Sequence, residues 1–363
     1  MNLKRAKRKE HYDMALLLVV LLLIVVGLII LYSTSAYNGR VKFDDALYYL
    51  KKQVFATALG MGVMLVVTNL DYHVWKKLAV PFYLISVLLS VAVLFVGKEY
   101  NGSKRWLSFG PLSFQPSEFA KLAVIIFLAY LIDKAGIKSK KIGKLLLIVL
   151  PVLPIVGLVG MGNLSTAIII LGIAVILVFV ASPKYSVFAW IGVGGAGFMT
   201  VFLALESYRL ERIAIWRNPE QYEKGYQTLQ GLYAIGSGGL FGTGLGGSVQ
   251  KLGFVPEAQN DMIFSIICEE FGLVGATAII GLFLLLMWRF FCIAERAKDL
   301  FGSLLATGAL AHIMIQVILN IAVVTNTIPN TGITLPFVSY GGTSVLFLLA
   351  EMGLVLSVTR MKK

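Results

Sequence analysis

The sequence predicts an all-α integral membrane protein, a bundle of about ten transmembrane helices with one large extracytoplasmic loop between the seventh and eighth helices. Three observations support this fold class. Apolar residues make up 58% of the 363 residues, charged residues make up only 14%, and the mean hydropathy is +0.83. Soluble domains carry about 25% charged residues. Apolar runs near the ~20 residues that cross a bilayer recur along the chain.

Ten apolar runs are candidate spans, and the fifth is the shortest. They cover residues 14–35, 50–68, 78–96, 117–132, 145–160, 164–182, 185–204, 262–288, 302–323 and 341–358. The first run is too long for the apolar region of a secretory signal, and no small-residue cleavage site follows it, so it should remain as an anchor. Most connections are short. Residues 1–363 are therefore predicted to form a single polytopic membrane domain.

Lys and Arg are unevenly distributed between the two sides that ten spans would create. With an inner N-terminus, the inner side holds 19 of the 32 basic residues and the outer side holds 12. Basic residues favour the cytoplasmic side of short loops, so both termini are predicted to be cytoplasmic. The net charge of +13 comes mostly from short inner loops that face anionic lipid headgroups, which argues against nucleic acid as a partner.

Residues 205–260 are too polar to cross the bilayer and are predicted to lie outside. The segment opens with residues 208–216, whose apolar positions recur at helical spacing, so a helix in the membrane interface is expected. Nine glycines follow between Gly225 and Gln250. They include a G-x-G-x-x-G match, but no strand precedes it and it faces away from cytoplasmic nucleotides. Tight turns and a phosphate-binding nest are the two remaining interpretations.

Asp261 ends this polar segment and is followed at once by the apolar run that begins at Met262. A carboxylate held where lipid meets water can act on a substrate whose reactive head is polar and whose tail is apolar. The position of Asp261 therefore predicts chemistry on a lipid-linked molecule.

Several charged residues fall inside predicted spans, where a charge is costly and usually functional. Glu118 and Lys121 lie three residues apart and face the same side of the fourth helix. They form either a structural ion pair or a site in which Glu118 orients Lys121 toward an anionic ligand. Glu269 and Glu270 lie two turns into the eighth helix, where proton relay, acceptor binding and a structural network are all open. Glu351 lies deep in the last span and requires a partner that the sequence does not identify.

Two outward-facing clusters precede the fourth and tenth spans. Lys104, Arg105 and Trp106 either anchor the chain at the interface or hold a diphosphate, for which Arg supplies bidentate donors. Residues 330–344, which include Ser339, are rich in Pro, Gly and Ser. Irregular backbone at membrane depth has to be buried or line a wet cavity, so this segment is predicted to form a pocket wall.

Four segments of the chain resemble the signatures of the SEDS family (shape, elongation, division and sporulation). They are Asn-Gly-Ser-Lys-Arg-Trp at residues 101–106, Gln-Pro-Ser-Glu with a following Lys at 115–121, Pro-Glu-Ala-Gln-Asn-Asp at 256–261, and Leu-Pro-Phe-Val-Ser-Tyr-Gly-Gly at 335–342. Their order and spacing match along essentially the whole chain. Within the family they are most similar to FtsW and its sporulation relative, with RodA next.

The resemblance implies a peptidoglycan glycosyltransferase of the cytoplasmic (inner) membrane, which polymerises lipid II into glycan strands at the outer face. It implies a class B penicillin-binding protein, which crosslinks the strands, and other division or elongation proteins as partners. The family's essential aspartate falls on Asp261. Its loop tryptophan with a preceding basic residue falls on Trp106 and Arg105, and its embedded pair falls on Glu118 and Lys121.

The chain departs from the family at two places. Gln259 and Asn260 stand before the aspartate, where many members have His-Thr or His-Asn, so no histidine assists the base here. Met-Gly-Asn-Leu-Ser-Thr stands at residues 161–166, where a Gln-Pro pair usually begins the motif. Asn163 and Thr166 remain matched.

The residue types suit this chemistry independently of the resemblance. Asp261 is expected to remove the proton from the 4-hydroxyl of the acceptor sugar, which then displaces the lipid diphosphate from C1 of the donor with inversion. Basic side chains are expected to stabilise the diphosphate charge. The candidate substrate-binding residues are Lys104, Arg105, Trp106, Glu118, Lys121, Arg212, Asn260 and Ser339.

No metal-ligand spacing is present, since the two cysteines and His11, His73 and His312 are scattered. A divalent cation such as Mg²⁺ could share the diphosphate charge, although the sequence offers it no dedicated site. The rival interpretation is a lipid II flippase or transporter, for which broken helices and paired buried charges are also suited. A suspected site at the outer interface, with no visible inverted repeat, favours the enzyme.

Overall fold

The computed structural model describes residues 12–100, 103–109, 112–136, 147–182 and 207–360, together with four single positions between 192 and 197. The described helices are α1 (Met14–Phe43), α2 (Tyr48–Asn69), α3 (His73–Val96), α4 (Pro116–Ala135), α5 (Val152–Gly162), α6 (Leu164–Ala181), α7 (Ser207–Arg217), α8 (Tyr226–Ser237), α9 (Ile263–Glu295), α10 (Leu300–Val324) and α11 (Gly342–Arg360). Seven of these, α1, α2, α3, α6, α9, α10 and α11, are long and apolar enough to span a membrane. The protein is therefore a helical membrane protein, as the sequence predicts.

Short polar residues begin several of the apolar helices by satisfying free backbone amides. The carboxylate of Asp13 accepts from the amide of Leu16 at 2.9 Å at the start of α1. Asp299 does the same for Gly302 at 2.7 Å at the start of α10. These caps fix where each span starts, and the apolar run that follows supplies the buried face.

The predicted spans correspond to described helices with two exceptions. The fifth predicted span falls on α5, which has only 11 residues and is separated from α6 by a single residue. The seventh, residues 185–204, lies outside the described residues apart from the four single positions. α4 has 20 residues, enough to cross a bilayer at 1.5 Å per residue, although it carries charged residues at both ends.

A small antiparallel sheet lies between α3 and α4. The sequence indicated only an outward-facing cluster of Lys104, Arg105 and Trp106 there. Its strands are β1 (Lys98–Tyr100), β2 (Ser103–Phe109) and β3 (Leu112–Phe114), in the order β1-β2-β3. Charged, apolar and small residues follow one another there without a helical period, and Gly-Pro separates the last two strands in the sequence. That composition favours strands and turns over a helix.

The start of α1 and the end of α11 lie together at one end of the bundle. The amide of Asp13 donates to Thr359 Oγ1 at 3.3 Å, and Arg289 forms an ion pair with the carboxylate of Asp13. At the other end, the side-chain amide of Asn38 donates to Gln259 Oε1 at 2.9 Å. α11 is buried along nearly its whole length and packs most extensively against α2.

Residues 325–341 connect α10 to α11 without helical structure and reach the middle of α1. A Cβ atom at Gly27 of α1 would lie 2.4 Å from the carbonyl oxygen of Phe337, so only glycine permits this approach. The connection therefore enters the bundle and forms part of its interior, as irregular backbone at membrane depth requires.

Helix α9 is broken at Gly272, whose φ is 64° and ψ is −164°. The glycine-rich segment docks against this break. The amide of Thr243 donates to Glu269 O at 2.9 Å, and the amide of Leu273 donates to Gly239 O at 2.9 Å. Residues 238–244 thereby satisfy backbone groups that a continuous helix would satisfy internally.

The side chains of Glu269 and Glu270 hold the next part of the same loop. Glu269 accepts from the Ser248 hydroxyl and from the amide of Val249, the latter at 2.9 Å. Glu270 forms an ion pair with Lys251 at 2.5 Å. Among the three interpretations open at the sequence level, these contacts favour a structural polar network.

Candidate active site

A cavity of about 1630 Å³ opens at the end of the bundle away from the start of α1 and the end of α11. The starts of α2, α4, α6 and α11, the strand β2, the helices α7 and α8, and the connections before α9 and after α10 all contribute lining residues. Its wall combines charged and polar groups with apolar side chains of α2, α3 and α11, including Phe55, Leu59, Leu89 and Leu346. The cavity therefore presents both polar and apolar side chains to a ligand.

Asp261 lies in the wall of this cavity, directly before α9, and its side chain is half-buried. Its backbone oxygen accepts from the side-chain amide of Asn320 at 2.8 Å. Its Oδ1 atom lies 3.5 Å from the side-chain nitrogen of Gln227, and its Oδ2 atom faces Gly332. The main chain at Asp261 is thus held by α10, while the side chain lines the cavity.

The pKa of Asp261 is raised to about 6, chiefly by burial of the carboxyl in the cavity wall and further by the nearby negative charge of Glu257. Asn260 donates to Glu257 Oε2 at 2.8 Å, and both residues also line the cavity. A carboxylate with this pKa is ionised at pH 7 yet more basic than an ordinary aspartate, which suits a general base.

Arg105 and Trp106 of β2 line the cavity, as predicted for substrate-binding residues, and Lys104 does not. The Nε atom of Arg105 donates to the carbonyl oxygen of Gly162 at 2.7 Å, which ties the strand to the end of α5. Lys104 is exposed and lines a separate small pocket. Sequence spacing alone did not show which of these basic residues faces the cavity.

Glu118 and Lys121 meet as predicted, with Lys121 Nζ 3.0 Å from Glu118 Oε1 and both side chains buried. Lys121 also donates to Gln316 Oε1 at 3.1 Å. All three residues line the cavity, so the pair belongs to the site and is not confined to the packed core.

Arg212 lies on the amphipathic helix α7, which the sequence places in the membrane interface. Its Nη1 atom donates to the carbonyl oxygen of Asn330 at 3.1 Å, and one turn later Trp216 Nε1 donates to Asn326 O at 2.9 Å. The helix therefore closes over the connection between α10 and α11. Arg212 and Trp216 both line the cavity.

Ser339 differs from the expectation of substrate contact. Its side chain is buried, and its hydroxyl accepts from the amide of Leu335 at 2.8 Å. The side chain of Gln53 braces the same turn, since it accepts from Gly341 N at 3.1 Å. Ser339 shapes the cavity wall, and the neighbouring Tyr340 is the residue that lines it.

Helix α10 carries a polar stripe that the sequence analysis missed. His312, Gln316 and Asn320 follow one another at four-residue spacing and are all buried. Asn320 donates to the carbonyl oxygens of Asp261 and Ile333, at 2.8 and 2.7 Å. The detectable signal is three polar residues on one face of an otherwise apolar helix, a pattern of the kind that marks buried functional sites in membranes.

Further basic residues line the cavity and were not singled out in the sequence analysis. They are Lys51, Lys52, Lys98 and Lys224. Lys51 pairs with Asp45 at 2.8 Å, and the ammonium of Lys52 lies 4.2 Å from the centre of the Tyr48 ring. Each lies close to a helix end, where a positive charge is typical of an interface anchor and carries no distinct signal in the sequence.

Within the part of the chain that the structure describes, no three His, Cys, Asp or Glu side chains converge as metal ligands. Positive charge at the cavity wall comes from lysine and arginine side chains.

The family of FtsW, RodA and SpoVE, described as cell cycle protein, matches residues 13–363. The chain is 40% identical to stage V sporulation protein E of Bacillus subtilis over 360 residues, covering 97% of this chain and 98% of that protein. It is 36% identical to the probable peptidoglycan glycosyltransferase FtsW of Trichlorobacter lovleyi, covering 98% of this chain and 95% of the relative.

Two solved structures are similar over nearly the whole chain. One is a chain of a solved structure described as "Structural coordination of polymerization and crosslinking by a peptidoglycan synthase complex". It has a TM-score of 0.81 and 31% identity, and the match covers 96% of this chain and 98% of that chain. The other is the rod shape determining protein RodA of Thermus thermophilus, with a TM-score of 0.73, 30% identity, and coverage of 97% and 98%.

Proposed function

The chain belongs to the FtsW, RodA and SpoVE family of cell cycle proteins, and from that membership we propose that its cavity polymerises lipid II into glycan strands with Asp261 as the general base. The FtsW relatives that match over nearly their full length are named probable peptidoglycan glycosyltransferases. The chain is a peptidoglycan glycosyltransferase of the SEDS family. We propose in addition that lipid II is its substrate and that Asp261 is its general base.

A single observation carries these assignments: Asp261 lies in a cavity whose wall contains both basic and apolar side chains. A lipid-linked sugar diphosphate has matching parts, because its sugars and diphosphate are polar and anionic and its polyprenyl chain is hydrocarbon. Phe55, Leu59 and Leu346 supply apolar surface for the chain. Arg105 and Arg212 supply charge-assisted donors for phosphate oxygens.

The proposed step transfers one glycosyl group. The Asp261 carboxylate takes the proton of the acceptor 4-hydroxyl as that oxygen forms a bond to C1 of the donor. The bond between C1 and the diphosphate oxygen breaks, the electron pair leaves with the undecaprenyl diphosphate, and the configuration at C1 inverts. A pKa near 6 lets Asp261 accept the proton and release it to solvent afterwards.

Departure of the diphosphate concentrates negative charge in a partly dry cavity, where fixed cations are most effective. Arg105, Arg212 and Lys121 lie in the wall, and Glu118 orients the ammonium of Lys121. These side chains provide the neutralising charge in the proposal. No step is assigned to a divalent cation, since the described donor set forms no dedicated metal site.

We place the cavity at the outer face of the cytoplasmic membrane and both termini in the cytoplasm. Two observations support this orientation. The start of α1 and the end of α11 meet at one end of the bundle while the cavity opens at the other, and basic residues are more frequent in the segments predicted to be inner. The lipid-linked substrate would then be used where the wall is built.

We propose a class B penicillin-binding protein as the working partner. The similarity to a chain of a peptidoglycan synthase complex in which polymerization and crosslinking are coordinated supports an assembly of this kind. Other division or elongation proteins would determine where the pair acts.

Purified protein incubated with fluorescent lipid II, without any other polymerase, tests the function. Glycan ladders on gels are expected for the wild type and absent for Asp261→Asn. Asp44→Asn is a matched control, because Asp44 is exposed, lies at the same end of the bundle and does not line the cavity. Ladders of normal length from Asp261→Asn would remove the base assignment. Lipid II movement across vesicle membranes without polymerisation would favour the flippase.

A further inference from the structure

A hydrogen-bonded chain of buried side chains runs from the cavity into the centre of the bundle. His312 of α10 contacts Glu351 of α11 through Nδ1 at 2.7 Å and Gln316 through Nε2 at 2.9 Å. Gln316 in turn contacts Lys121 of α4. His312 and Glu351 lie deeper than the cavity lining and are each at most 3% exposed.

The orientation of the Gln316 amide is fixed by two partners of opposite character. Its Nε2 atom donates to the backbone oxygen of Thr334 at 3.0 Å, and a carbonyl oxygen can only accept. Its Oε1 atom accepts from the ammonium of Lys121 at 3.1 Å, which can only donate. Exchange of the two amide atoms would place an N–H group against the ammonium and an oxygen against the carbonyl.

This orientation determines which ring nitrogen of His312 faces Gln316 with a hydrogen. Because Gln316 Oε1 is an acceptor, the Nε2 atom of His312 carries a hydrogen. The Nδ1 atom contacts a carboxyl oxygen of Glu351 at 2.7 Å, which holds the ring in this orientation.

We propose that His312, held in place by Glu351, is a positioning residue that holds Gln316 so that Lys121 is presented at the cavity wall as a ligand for the substrate's diphosphate. The inference rests on the proposed function, because it assigns Lys121 to that diphosphate. His312 acts only through Gln316 and does not itself touch substrate. It extends the site to a residue two helical turns below Asn320, about 12 Å along α10.

Loss of the Nε2 hydrogen would disrupt this arrangement. Two acceptors would then face one another, so the Gln316 amide would have to turn away from His312 and from Lys121. The charged groups that face this region are Glu118 and Lys121 on α4 and Glu351 on α11. Lys121 would keep Glu118 as its only partner among the described contacts and would lose the group that fixes its direction.

Nitrogen NMR of the imidazole ring tests the protonation. The chain has three histidines, so a His11→Gln/His73→Gln variant labelled with ¹⁵N-histidine reports on His312 alone. The Nε2 atom is expected to carry a hydrogen, as its contact with Gln316 Oε1 requires. An Nε2 atom without a hydrogen would overturn the inference whatever the enzyme assay shows.

Binding of undecaprenyl diphosphate in detergent tests the positioning. The double variant His312→Leu/Glu351→Leu replaces both partners of a buried polar contact by apolar residues of similar size, a change that proteins often tolerate. We expect it to unfold at a temperature close to that of the wild type and to bind the diphosphate about tenfold more weakly, as for loss of one charge-assisted hydrogen bond. Equal binding of undecaprenyl diphosphate by the wild type and the double variant would contradict the inference.

Two further variants separate positioning from packing. Glu351→Gln can donate its amide to Nδ1 of a neutral His312, which keeps the Nε2 hydrogen, so binding should stay close to that of the wild type. Binding as weak as that of the double variant would contradict a role through Gln316. Thr307→Val, at a buried site on the same helix outside the chain of contacts, is the packing control. If the wild type binds no undecaprenyl diphosphate, the proposed function fails, and the NMR result still decides the protonation.

Discussion

The side-chain amide of Asn320 donates to the backbone oxygen of Asp261 at 2.8 Å and thereby joins the end of α10 to the start of α9. The same amide nitrogen reaches Ile333 O at 2.7 Å, on the connection that forms the opposite part of the cavity wall. One buried side chain therefore sets the distance between the carboxylate and the wall it faces. The position of the base depends on α10 as much as on its own helix.

Replacement of Asn320 by Leu should disturb this position. Two carbonyl oxygens lose their donor, which we expect to lower the free energy of unfolding by about 2 kcal/mol, at ~1 kcal/mol per hydrogen bond, and to reduce glycan synthesis. Thermal unfolding in detergent and the lipid II assay measure the two effects. Thr325→Val, at an exposed site on the same helix end, should alter neither. Normal synthesis by Asn320→Leu would show that the tether is dispensable.

The rate of glycan synthesis should depend on the ionisation of Asp261. A base acts when deprotonated, so the rate should rise as pH rises through about 6 and then level off. At one pH unit below that value, about one tenth of the maximal rate is expected. Measurement of the initial rate against pH gives the midpoint. A profile without any change between pH 5 and pH 7, at ~1 unit either side of 6, would contradict the assignment.

Removal of the neighbouring charge should move that midpoint. Glu257→Gln abolishes a negative charge that raises the pKa of Asp261, so the rising limb should shift to lower pH. The shift should be partial, because burial is the larger cause and remains. Glu220→Gln, at an exposed site of the same loop outside the cavity lining, should leave the midpoint unchanged. A midpoint that moves upward in Glu257→Gln would refute this account.

The buried pair of Glu118 and Lys121 should behave differently in single and double variants. Either Glu118→Gln or Lys121→Met leaves one buried charge without its partner, which costs ~3–5 kcal/mol of stability. The double variant removes both charges and should recover most of that stability while glycan synthesis stays low. Thermal unfolding and the ladder assay distinguish the two effects. Full synthesis by the stable double variant would assign the pair to structure alone.

The glycine-rich loop should loosen when Glu269 loses its charge. In Glu269→Gln the side chain no longer offers a carboxylate to Ser248 and to the amide of Val249. Hydrogen exchange measured by mass spectrometry should show faster exchange at residues 248–250, by about tenfold or more. Glu295→Gln, at the exposed far end of the same helix, is the control. Unchanged exchange would mean that other contacts hold the loop.

Sequence reasoning reached the spans and most of the site because both depend on local patterns. Apolar runs identify helices without knowledge of their neighbours, and Asp261, Arg105 and Glu118 stand out as polar residues beside or within such runs. The α10 stripe was missed because His312, Gln316 and Asn320 acquire meaning only through partners on α4, α9 and α11.

The positions of Lys104 and Ser339 have a related explanation. A motif shows that a residue is close to a site but not which way its side chain points. Lys104 lies outside the lining of the cavity, and the hydroxyl of Ser339 is engaged within its own turn. The docking of residues 238–244 onto α9 depends on a helix break that no local pattern predicted.

The interruption of α9 at Gly272 has a consequence for biogenesis. A Cβ at that position would lie 2.4 Å from the backbone nitrogen of Gly242, so the two segments interlock at the level of the main chain. Residues 238–244 precede α9 in the chain and are therefore synthesised first. Their backbone contacts with the break can form only after α9 has been synthesised.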